Sequence, residues 1–394
     1  MKKKIRLGLL FGGRSGEHEV SLTSAASVLK ALDPDKYEVV PIGITREGRW
    51  LVGSSADHLL PGVLEHGRPV TASVDPTGPR LIPLDSAALA EQQPSSAAGA
   101  VSGPAVGPAS GRESPEIDVI FPLLHGTFGE DGTVQGLLEL AGIPYVGAGV
   151  LGSSVGMDKD VMKRLFRDAR LPIVKWVLVL RGEWERDPRQ ARSVIEKKIG
   201  YPLFVKPANL GSSVGISKVR NATELPPAMD LAAGYDRKIV VERGVNAREI
   251  ECAVLGNDHP EASVPGEVVL VNEFYDYEAK YLKEGSELII PAKLRPREVR
   301  RVEQLAIRAF EAVDCAGMAR VDFLLDRRTG GLFVNEINTI PGFTPISMYP
   351  KLWEATGLPY PKLIDRLVEL ALERHQEKAR TRYTRATDPE APLP

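Results

Sequence analysis

Residues 320 to 345, RVDFLLDRRTGGLFVNEINTIPGFTP, are the stretch that most limits how this chain can fold. Two apolar runs flank a glycine-rich turn, a pattern that predicts a β-hairpin. Four polar residues interrupt these runs: Arg320, Asp322, Glu336 and Asn338. Strands this apolar are normally buried, where a charge is costly unless it is paired or binds a metal. The hairpin must therefore gather its polar groups around a partner.

Side chains alternate between the two faces of a strand, so the hairpin register decides which residues meet. A five-residue loop over residues 327–331 would place Asp322 opposite Glu336 and Arg320 opposite Asn338, all four on one face. The apolar residues would pair on the other face, Val321 with Ile337 and Leu325 with Phe333.

Two carboxylates and an amide oxygen on one buried face indicate a divalent cation site. All three are hard oxygen donors, which suit Mg²⁺ or Mn²⁺. Magnesium held by one or two carboxylates usually completes its coordination with water and nucleotide phosphates. The hairpin alone leaves one alternative open, a salt-bridge cluster of Arg320, Asp322 and Glu336.

A second stretch, FVKPANLGSSVGISKV, has features of a phosphate-binding turn. It runs from a strand to Lys206 and then through the glycines and serines of residues 211–215. Glycines let backbone N–H groups approach phosphate oxygens, and serine hydroxyls add donors. No Gly-Lys-Ser/Thr opens a helix here, so this is not a Walker loop. Lys206, with Lys159 upstream, could supply positive charge; a plain tight turn and two surface lysines are the alternative.

The start of the chain predicts a β-α-β unit. KIRLGLLFGG is a buried strand, SGEHEVSLTSAASVLKAL has helical spacing, and YEVVPIGI is a second strand, so a parallel sheet is expected. The glycines that follow the first strand do not match the dinucleotide-binding pattern, since Phe11 stands in place of its first glycine. A nicotinamide cofactor is not supported.

The later sequence mixes short strands and helices in an α+β pattern. This change in the order of predicted elements divides the chain into parts. The fold class expected is α/β and α+β, with a Rossmann-like parallel-sheet domain followed by a two-part domain. The expected parts are an N-terminal substrate domain, 1–149; a central subdomain, 150–240; a C-terminal subdomain, 241–376; and a flexible tail, 377–394. Residues 91–111 are rich in Ala, Ser, Gly and Pro, which predicts a disordered insertion at about 88–115 within the first domain.

Composition argues against several classes of partner. The formal net charge of the 394-residue chain is −2, so neither nucleic acid nor an anionic membrane is an expected partner. The two cysteines, Cys252 and Cys315, fit buried thiols in a reducing compartment. The apolar run in MKKKIRLGLLFGG is too short for a signal peptide, and no stretch approaches the roughly 20 apolar residues of a membrane span. A cytoplasmic protein is expected.

Seven stretches in order resemble the ATP-grasp carboxylate–amine ligases, in particular the D-alanine–D-alanine ligase family. They are GGRSGEHEVSL, LLHGTFGEDGTVQGLLEL, GMDKDVMK, VKPANLGSSVGISKV, FYDYEAKY, GMARVDFLLD and VNEINTIPGFTPISMYP. The resemblance implies an ATP-grasp fold, with ATP between the central and C-terminal subdomains, and a homodimer. It also implies that ATP phosphorylates one D-alanine, whose acylphosphate a second D-alanine attacks to form the dipeptide for peptidoglycan synthesis.

The resemblance implies a nucleotide and metal role for many of the matched residues. Two divalent ions bridging the ATP phosphates would be held by Asp322, Glu336 and Asn338. The residues implied in nucleotide binding are Lys159, Lys206, Ser212, Ser213, Glu242, Arg243, Val245, Glu249 and Lys280. Among these, Glu242, Arg243 and the backbone of Val245 match the adenine hinge, Glu249 matches the ribose contact, and Lys280 would neutralise the transferred phosphate.

The remaining matched residues have implied roles in substrate binding and catalysis. Glu17 would receive the ammonium of the first D-alanine, with His125 beside it, and Ser347 would hold the carboxylate of the second. Arg320 and the N–H of Gly342 would stabilise the oxyanion of the tetrahedral intermediate. Tyr281, on a closing lid that excludes water, would bond Ser212 and through it Glu17.

Three alternative functions remain at the level of sequence. A related ATP-grasp ligase with D-lactate or D-serine as second substrate would keep the metal hairpin and change Glu17, Tyr281 or Ser347. The presence of Tyr281 favours an amine nucleophile, whereas Ile346 departs from the family pattern in the second pocket. A noncatalytic nucleotide-binding regulator should lack a metal ligand or Arg320, and a dehydrogenase is disfavoured by the broken glycine pattern.

Overall fold

The computed structural model of the chain describes residues 3–53, 60–77, 81–84, 116–211, 214–270 and 286–383. The predicted insertion at about 88–115 lies outside the described residues, and so does the predicted tail from residue 384 onward.

The described residues form sixteen strands and eleven helices. The strands are β1 (Ile5–Gly12), β2 (Tyr37–Ile44), β3 (Trp50–Val52), β4 (Arg68–Ala72), β5 (Leu81–Pro83), β6 (Val119–Pro122), β7 (Trp176–Leu180), β8 (Leu203–Pro207), β9 (Ser217–Val219), β10 (Lys238–Arg243), β11 (Ala247–Gly256), β12 (Glu261–Ala262), β13 (Gly266–Leu270), β14 (Ser286–Ile289), β15 (Gly317–Asp326) and β16 (Leu332–Asn338). The helices are α1 (His18–Ala31), α2 (Pro61–His66), α3 (Thr133–Leu140), α4 (Val150–Met157), α5 (Lys159–Asp168), α6 (Arg181–Arg186), α7 (Pro188–Lys198), α8 (Leu225–Tyr235), α9 (Pro296–Ala312), α10 (Met348–Thr356) and α11 (Tyr360–Ala379).

The first sheet has the strand order β5-β4-β3-β2-β1-β6. Its centre is parallel: β1 lies between β2 and β6, with Leu7 in register with Val39 on one side and Val119 on the other. Strands β3, β4 and β5 extend the sheet in antiparallel fashion. The predicted β-α-β unit is confirmed, because α1 connects the parallel strands β1 and β2. Parallel strands that are covered on both faces are apolar, which explains the buried run from Leu7 to Phe11 in β1; Arg6, at its partly exposed start, is the exception.

Two antiparallel sheets follow. One has the order β7-β10-β8-β9, and the other has the order β14-β13-β11-β15-β16, with β12 paired to β11. The ten-residue strands β11 and β15 pair along their whole length, from Ala247 with Asp326 to Gly256 with Gly317. The predicted α+β character of the later sequence is confirmed, while the four domain boundaries stay a prediction.

The first sheet shares a hydrophobic core with the C-terminal helices. Phe121 of β6 meets Phe343 edge-on, with ring centroids 5.4 Å apart, and Phe343 also packs near Tyr349 and Tyr360. The first sheet and the C-terminal helices both contribute fully buried residues to this cluster, including Leu9 of β1. The shared core fixes the first sheet relative to the segment just after β16, where several predicted site residues lie.

None of the helices in the described part of the chain is long and apolar enough to cross a bilayer.

The start of α5 is fixed by an aspartate with two functions. Asp158 accepts hydrogen bonds from the N–H groups of Asp160 (3.1 Å) and Val161 (3.0 Å), as expected of a helix cap. Its carboxylate also binds the ammonium of Lys238 at 2.7 Å. Burial alone would raise the pKa of Asp158, but the Lys238 contact and the Val161 N–H outweigh it and lower the pKa. An aspartate directly before the helical spacing of DKDVMKRLFRDARL is typical of such a cap, so this contact follows from local sequence.

Replacing Asp158 with alanine should lower the free energy of unfolding by about 2–4 kcal/mol, because the helix loses its cap and Lys238 its nearest carboxylate. Asp158→Asn keeps an acceptor oxygen and should lose roughly half as much. Since the folded-state pKa is lowered, this contribution is present at neutral pH and is lost as the pH falls through the acid range. Urea unfolding measures the free energy of unfolding of the parent and of the two variants. An alanine variant as stable as the parent would contradict this account.

Candidate functional site

The β15–β16 hairpin has the predicted loop and polar register. The strands end at Asp326 and resume at Leu332, so residues 327–331 form the loop. Arg320 pairs with Asn338, and Asp322 pairs with Glu336. The predicted Val321–Ile337 pair is also confirmed.

One predicted pair in the same hairpin is wrong. Leu325 pairs with Leu332, and Phe333 pairs with Leu324 instead. The register shifts between Asp322 and Phe323, where β16 carries one extra residue, Asn335. A β-bulge of this kind places two residues opposite one and re-aims the side chains beside it, which the alternation rule alone does not foresee.

Asp322 is the centre of the polar face. The guanidinium of Arg320 donates to both of its oxygens, at 2.7 and 2.8 Å, and the amide of Asn338 donates to Oδ2 at 3.0 Å. Arg320 also lies 3.0 Å from the carboxylate of Glu251 on β11. The sequence analysis missed Glu251, although it lies two residues after Glu249 and therefore on the same face of β11.

The polar face has donors that suit magnesium or manganese. In the described ranges, no group of three or more His, Cys, Asp or Glu side chains has metal-binding geometry. The predicted set differs from such a group because it combines two carboxylates, Asp322 and Glu336, with the amide oxygen of Asn338. Oxygen donors in this ratio fit Mg²⁺, which takes few protein ligands and keeps positions for phosphate. A half-turn of the Asn338 amide would present its oxygen in place of the N–H group.

A cleft of about 500 Å³ lies against this face, between the second and third sheets. Its volume is within the range of small-molecule sites. Most of the residues predicted to bind nucleotide line it together with part of the polar face: Lys206, Glu242, Arg243, Val245, Glu249, Arg320, Asp322 and Glu336.

Glu242 is held between two lysines beside this cleft. The residue is 2% exposed, and its carboxylate has Lys206 Nζ at 2.8 Å from one oxygen and Lys163 Nζ at 3.1 Å from the other. Burial would raise the pKa of Glu242, but the two ammonium groups reverse this and lower it to about 2. An adenine contact at this position would therefore use the backbone of Glu242. Lys163 did not figure in the sequence analysis, although it lies in the quoted stretch GMDKDVMK.

Lys159 reaches the same region from the first turn of α5. It is 7% exposed, and its ammonium donates to the carbonyl of Leu210 at 2.6 Å, just before the glycine–serine turn. Lys159 lines a smaller cavity, of about 70 Å³, together with Gly211, Glu336 and Asn338. The structure thus brings a second predicted phosphate-binding lysine to the metal face.

Glu17, which immediately precedes α1, also lies in this region. A Cβ atom on Gly126 would lie 2.7 Å from Glu17 Oε2, and one on Gly211 would lie 3.1 Å from it. Gly126 also has φ +75°, a conformation that favours glycine. The glutamate side chain therefore sits against two glycines, one from each side of the site, and is 8% exposed.

His125 lies near Glu17 and links the first sheet to the segment after β16. Its Nε2 is 3.1 Å from Ser24 Oγ, which also accepts the N–H of Phe343 at 3.3 Å. Burial lowers the pKa of His125, with partial opposition from the Glu17 charge. The imidazole is therefore neutral at pH 7, which favours a positioning role over general-base catalysis at the substrate.

Gly342 and Ser347 are brought together. A Cβ atom at Gly342 would lie 2.7 Å from Ser347 Oγ, so only glycine fits there without displacement. The Ser347 hydroxyl accepts the N–H of Thr344 at 2.9 Å and lies 2.8 Å from the Thr344 hydroxyl. Ile346, which departs from the family pattern, is 57% exposed.

Glu130 is a site residue that the sequence analysis missed. It lines the smaller cavity with Lys159 and accepts the N–H of Gly126 at 2.7 Å. Burial and the neighbouring charge of Glu17 raise its pKa to about 8, against the opposing effect of Arg320. Glu130 lies in the stretch LLHGTFGEDG, which resembles the family, so its position there could have identified it together with His125.

Four predicted site residues, Ser212, Ser213, Lys280 and Tyr281, lie outside the described residues. Their roles stay predictions.

Comparison with known proteins gives consistent matches over almost the whole chain. Family models described as "D-ala D-ala ligase N-terminus" and "D-ala D-ala ligase C-terminus" match residues 6–148 and 165–369. The chain is 51% identical over 378 residues to a D-alanine–D-alanine ligase from Heliobacterium modesticaldum, covering 96% of this chain and 97% of the relative. It is 52% identical over 383 residues to one from Thermoanaerobacter sp., covering 96% and 99%.

Solved structures agree with the sequence matches. The D-alanine–D-alanine ligase from Coxiella burnetii has a TM-score of 0.79 at 37% identity and covers 95% of this chain and 96% of its own. The VanG D-Ala:D-Ser ligase from Enterococcus faecalis has a TM-score of 0.79 at 34% identity and covers 94% and 100%. With family models over most of its length and relatives at about half identity, this chain belongs to the D-alanine–D-alanine ligase family.

Proposed function

We propose that this protein joins two D-alanines to D-alanyl-D-alanine at the expense of ATP, and that the dipeptide feeds peptidoglycan synthesis in the cytoplasm. Family membership supports ligase chemistry with ATP. The observation that carries the assignment to a site is the hairpin face: Glu336 lines both the large cleft and the smaller cavity near Glu17. One carboxylate thus borders the spaces proposed for nucleotide and for amino acid.

Asp322, Glu336 and Asn338 would hold two magnesium or manganese ions. When bound, the ions neutralise charge on the phosphates of ATP. Lys159 and Lys206 add positive charge from α5 and β8. The nucleotide would lie in the large cleft, with its adenine near Arg243 and Val245 and its ribose near Glu249.

The reaction proceeds in two steps. The carboxylate of the first D-alanine attacks the γ-phosphorus of ATP, the bond to ADP breaks, and an acylphosphate forms. The neutral amine of the second D-alanine then attacks the acyl carbon, loses a proton and expels inorganic phosphate. Glu17 would orient the first substrate through its ammonium, beside the neutral His125, and Ser347 would hold the second through its carboxylate.

Charge develops on the acyl oxygen in the second step. Arg320 and the backbone N–H of Gly342 are proposed to stabilise it, since preorganised donors are most effective where charge develops. Arg320 is held in place by Asp322 and Glu251, so its guanidinium needs little reorganisation. Ser212, Tyr281 and Lys280 are proposed to complete the site and exclude water.

D-alanine is the preferred second substrate in this proposal. The relatives named D-alanine–D-alanine ligase are about half identical to this chain, whereas the D-Ala:D-Ser ligase is 34% identical. D-lactate and D-serine are therefore not favoured.

The proposal is tested directly by measuring the phosphate that the protein releases from ATP in the presence of Mg²⁺. The purified protein should release phosphate with D-alanine, form the dipeptide in equal amount, and remain inactive with L-alanine. D-serine and D-lactate as second substrates should give lower kcat/KM. Phosphate release without dipeptide, or a preference for L-alanine, would refute the assignment.

Replacing Asp322 with asparagine should lower kcat by about 10²-fold or more, because a lost electrostatic contact to developing charge typically has that effect. The half-saturating Mg²⁺ concentration should rise as well. Asp326→Asn is a matched control on the same strand: Asp326 accepts the N–H groups of Arg328 and Thr329 in the hairpin loop. Its kinetics should be unchanged, and equal defects in both variants would indicate a general effect on the hairpin.

Because of Glu130, the binding of D-alanine should be coupled to the release of a proton. Burial is the larger cause of the raised pKa of Glu130, and the charge of Glu17 is the second. An ammonium placed at Glu17 cancels the second cause, so this pKa falls and protons are released at neutral to slightly alkaline pH. Calorimetry in buffers of different ionisation enthalpy measures this release. Glu130→Gln should abolish it, whereas Glu139→Gln on α3 should not. Unchanged proton release in the Glu130 variant would contradict the assignment.

We also propose a homodimer, as the family resemblance implies. Three large apolar side chains on the contacting helices α3 and α4 are exposed: Leu140 by 68%, Leu151 by 57% and Val150 by 40%. Sedimentation velocity should give twice the chain mass, and Leu140→Glu combined with Leu151→Glu should shift it toward the monomer. A parent protein that sediments as a monomer would exclude this proposal.

A further inference from the structure

Lys163 is a charged side chain in the interior that the proposed reaction does not use. It projects from α5, is 1% exposed, and is among the largest fully buried side chains of the described chain. Its ammonium lies 3.1 Å from Glu242 Oε1 and 3.4 Å from the carbonyl of Asn335, the extra residue at the bulge of β16. Lys163 therefore connects α5 both to β10 and to the metal hairpin.

For stability alone, an apolar residue would serve as well at this position. Moving an ammonium into the interior costs several kcal/mol, and a buried ion pair often only offsets that cost. Burial lowers the pKa of Lys163, Glu242 opposes that effect and Lys206 adds to it. The repulsion between the two lysines is a further cost of the arrangement.

The balance of charge around Glu242 suggests a function for the buried lysine. Glu242 faces two ammonium groups, Lys163 on one oxygen and Lys206 on the other. Two positive charges on one carboxylate leave a net positive charge, on the side where Lys206 lines the cleft. The other carboxylates that act on Lys206 are Glu336 and Glu249, which are assigned here to metal and to ribose.

We propose that Lys163 is a positioning residue that neutralises Glu242, so that the charge of Lys206 serves the nucleotide phosphates. Without Lys163, Lys206 and Glu242 form a closed neutral pair, and a phosphate must compete with Glu242 for the ammonium. This inference rests on the proposed use of ATP. It assigns a role to a residue that lines neither the large cleft nor the smaller cavity.

The first test is direct binding of a nonhydrolysable ATP analogue with Mg²⁺, measured by titration calorimetry on the full chain. Lys163→Met keeps the length and apolar body of the side chain and removes its charge. The Kd should rise roughly tenfold to hundredfold, which is the effect of losing about one charge-assisted contact. The salt dependence of binding should become weaker, because the site has lost positive charge.

A second substitution distinguishes charge balance from simple structural damage. Glu242→Gln added to Lys163→Met removes the competing carboxylate and keeps the backbone that could contact adenine. If Lys163 acts by neutralising Glu242, the double variant binds the analogue more tightly than Lys163→Met and regains at least half of the lost affinity on a logarithmic scale. A merely damaged interior would bind no better after a second buried change.

Arg248→Met is the matched control. Arg248 forms a two-point ion pair with Glu267, at 2.8 and 2.6 Å, on β11 and β13 but does not line the cleft. This variant should lose stability and keep the parent Kd. A parent-like Kd in Lys163→Met, or a double variant that binds no better than the single one, overturns the inference. If the parent itself binds no Mg²⁺-analogue complex, the proposed function fails instead.

Discussion

The alternation of side chains along a buried β-hairpin is the constraint on which the rest of the site depends. Arg320, Asp322, Glu336 and Asn338 share one face because each pair is in register across the two strands. The other face packs into the core with Val321 and Ile337, which fixes the orientation of the polar one. A slip of one residue would move the donors into the core, and the packing of the apolar face opposes such a slip.

Two clusters of buried charge lie beside this face, and in each a central group lies between two groups of opposite charge. Arg320 lies between Asp322 and Glu251, and Glu242 lies between Lys163 and Lys206. The two clusters have net charges of opposite sign. The cluster around Arg320 has two carboxylates for one cation and suits metal ions. The cluster around Glu242 has two cations for one carboxylate and suits phosphate. Mg²⁺ and ATP are complementary to this pair of excess charges.

The shared core between the first sheet and the C-terminal helices gives the site its third side. Phe121 and Phe343 pack together, and the N–H of Phe343 bonds Ser24 of α1. Glu17 at the start of α1 is thereby held near Gly211, in the segment that follows β8. Residues 17 and 211 are far apart in sequence, so only this packing makes them neighbours.

Local rules applied to the sequence were sufficient for much of the hairpin and for the fold class. The hairpin itself, the β-α-β start and the Asp158 cap follow from alternation, turn residues and capping, which act over a few neighbouring residues. The polar pairs match the predicted register because the bulge at Asn335 offsets by one residue the turn that Asp326 and Gly331 close. The family resemblance implied roles for Glu17, Gly342 and Ser347, which local patterns could not suggest. The same rules failed at Asn335, because a bulge is selected by packing on both sides of a strand.

Only the tertiary structure decided which charges meet. Lys163, Glu130 and Glu251 each looked like an ordinary charged residue within its own helix, loop or strand. Burial and the approach of distant carboxylates or lysines give them their significance, since electrostatic interactions strengthen when water is excluded. The sequence by itself determined the hairpin, its oxygen donors and the β-α-β unit at the start of the chain. The pairing of Glu242 with two lysines, and the raised pKa of Glu130 beside Glu17, depend on elements that meet only after folding.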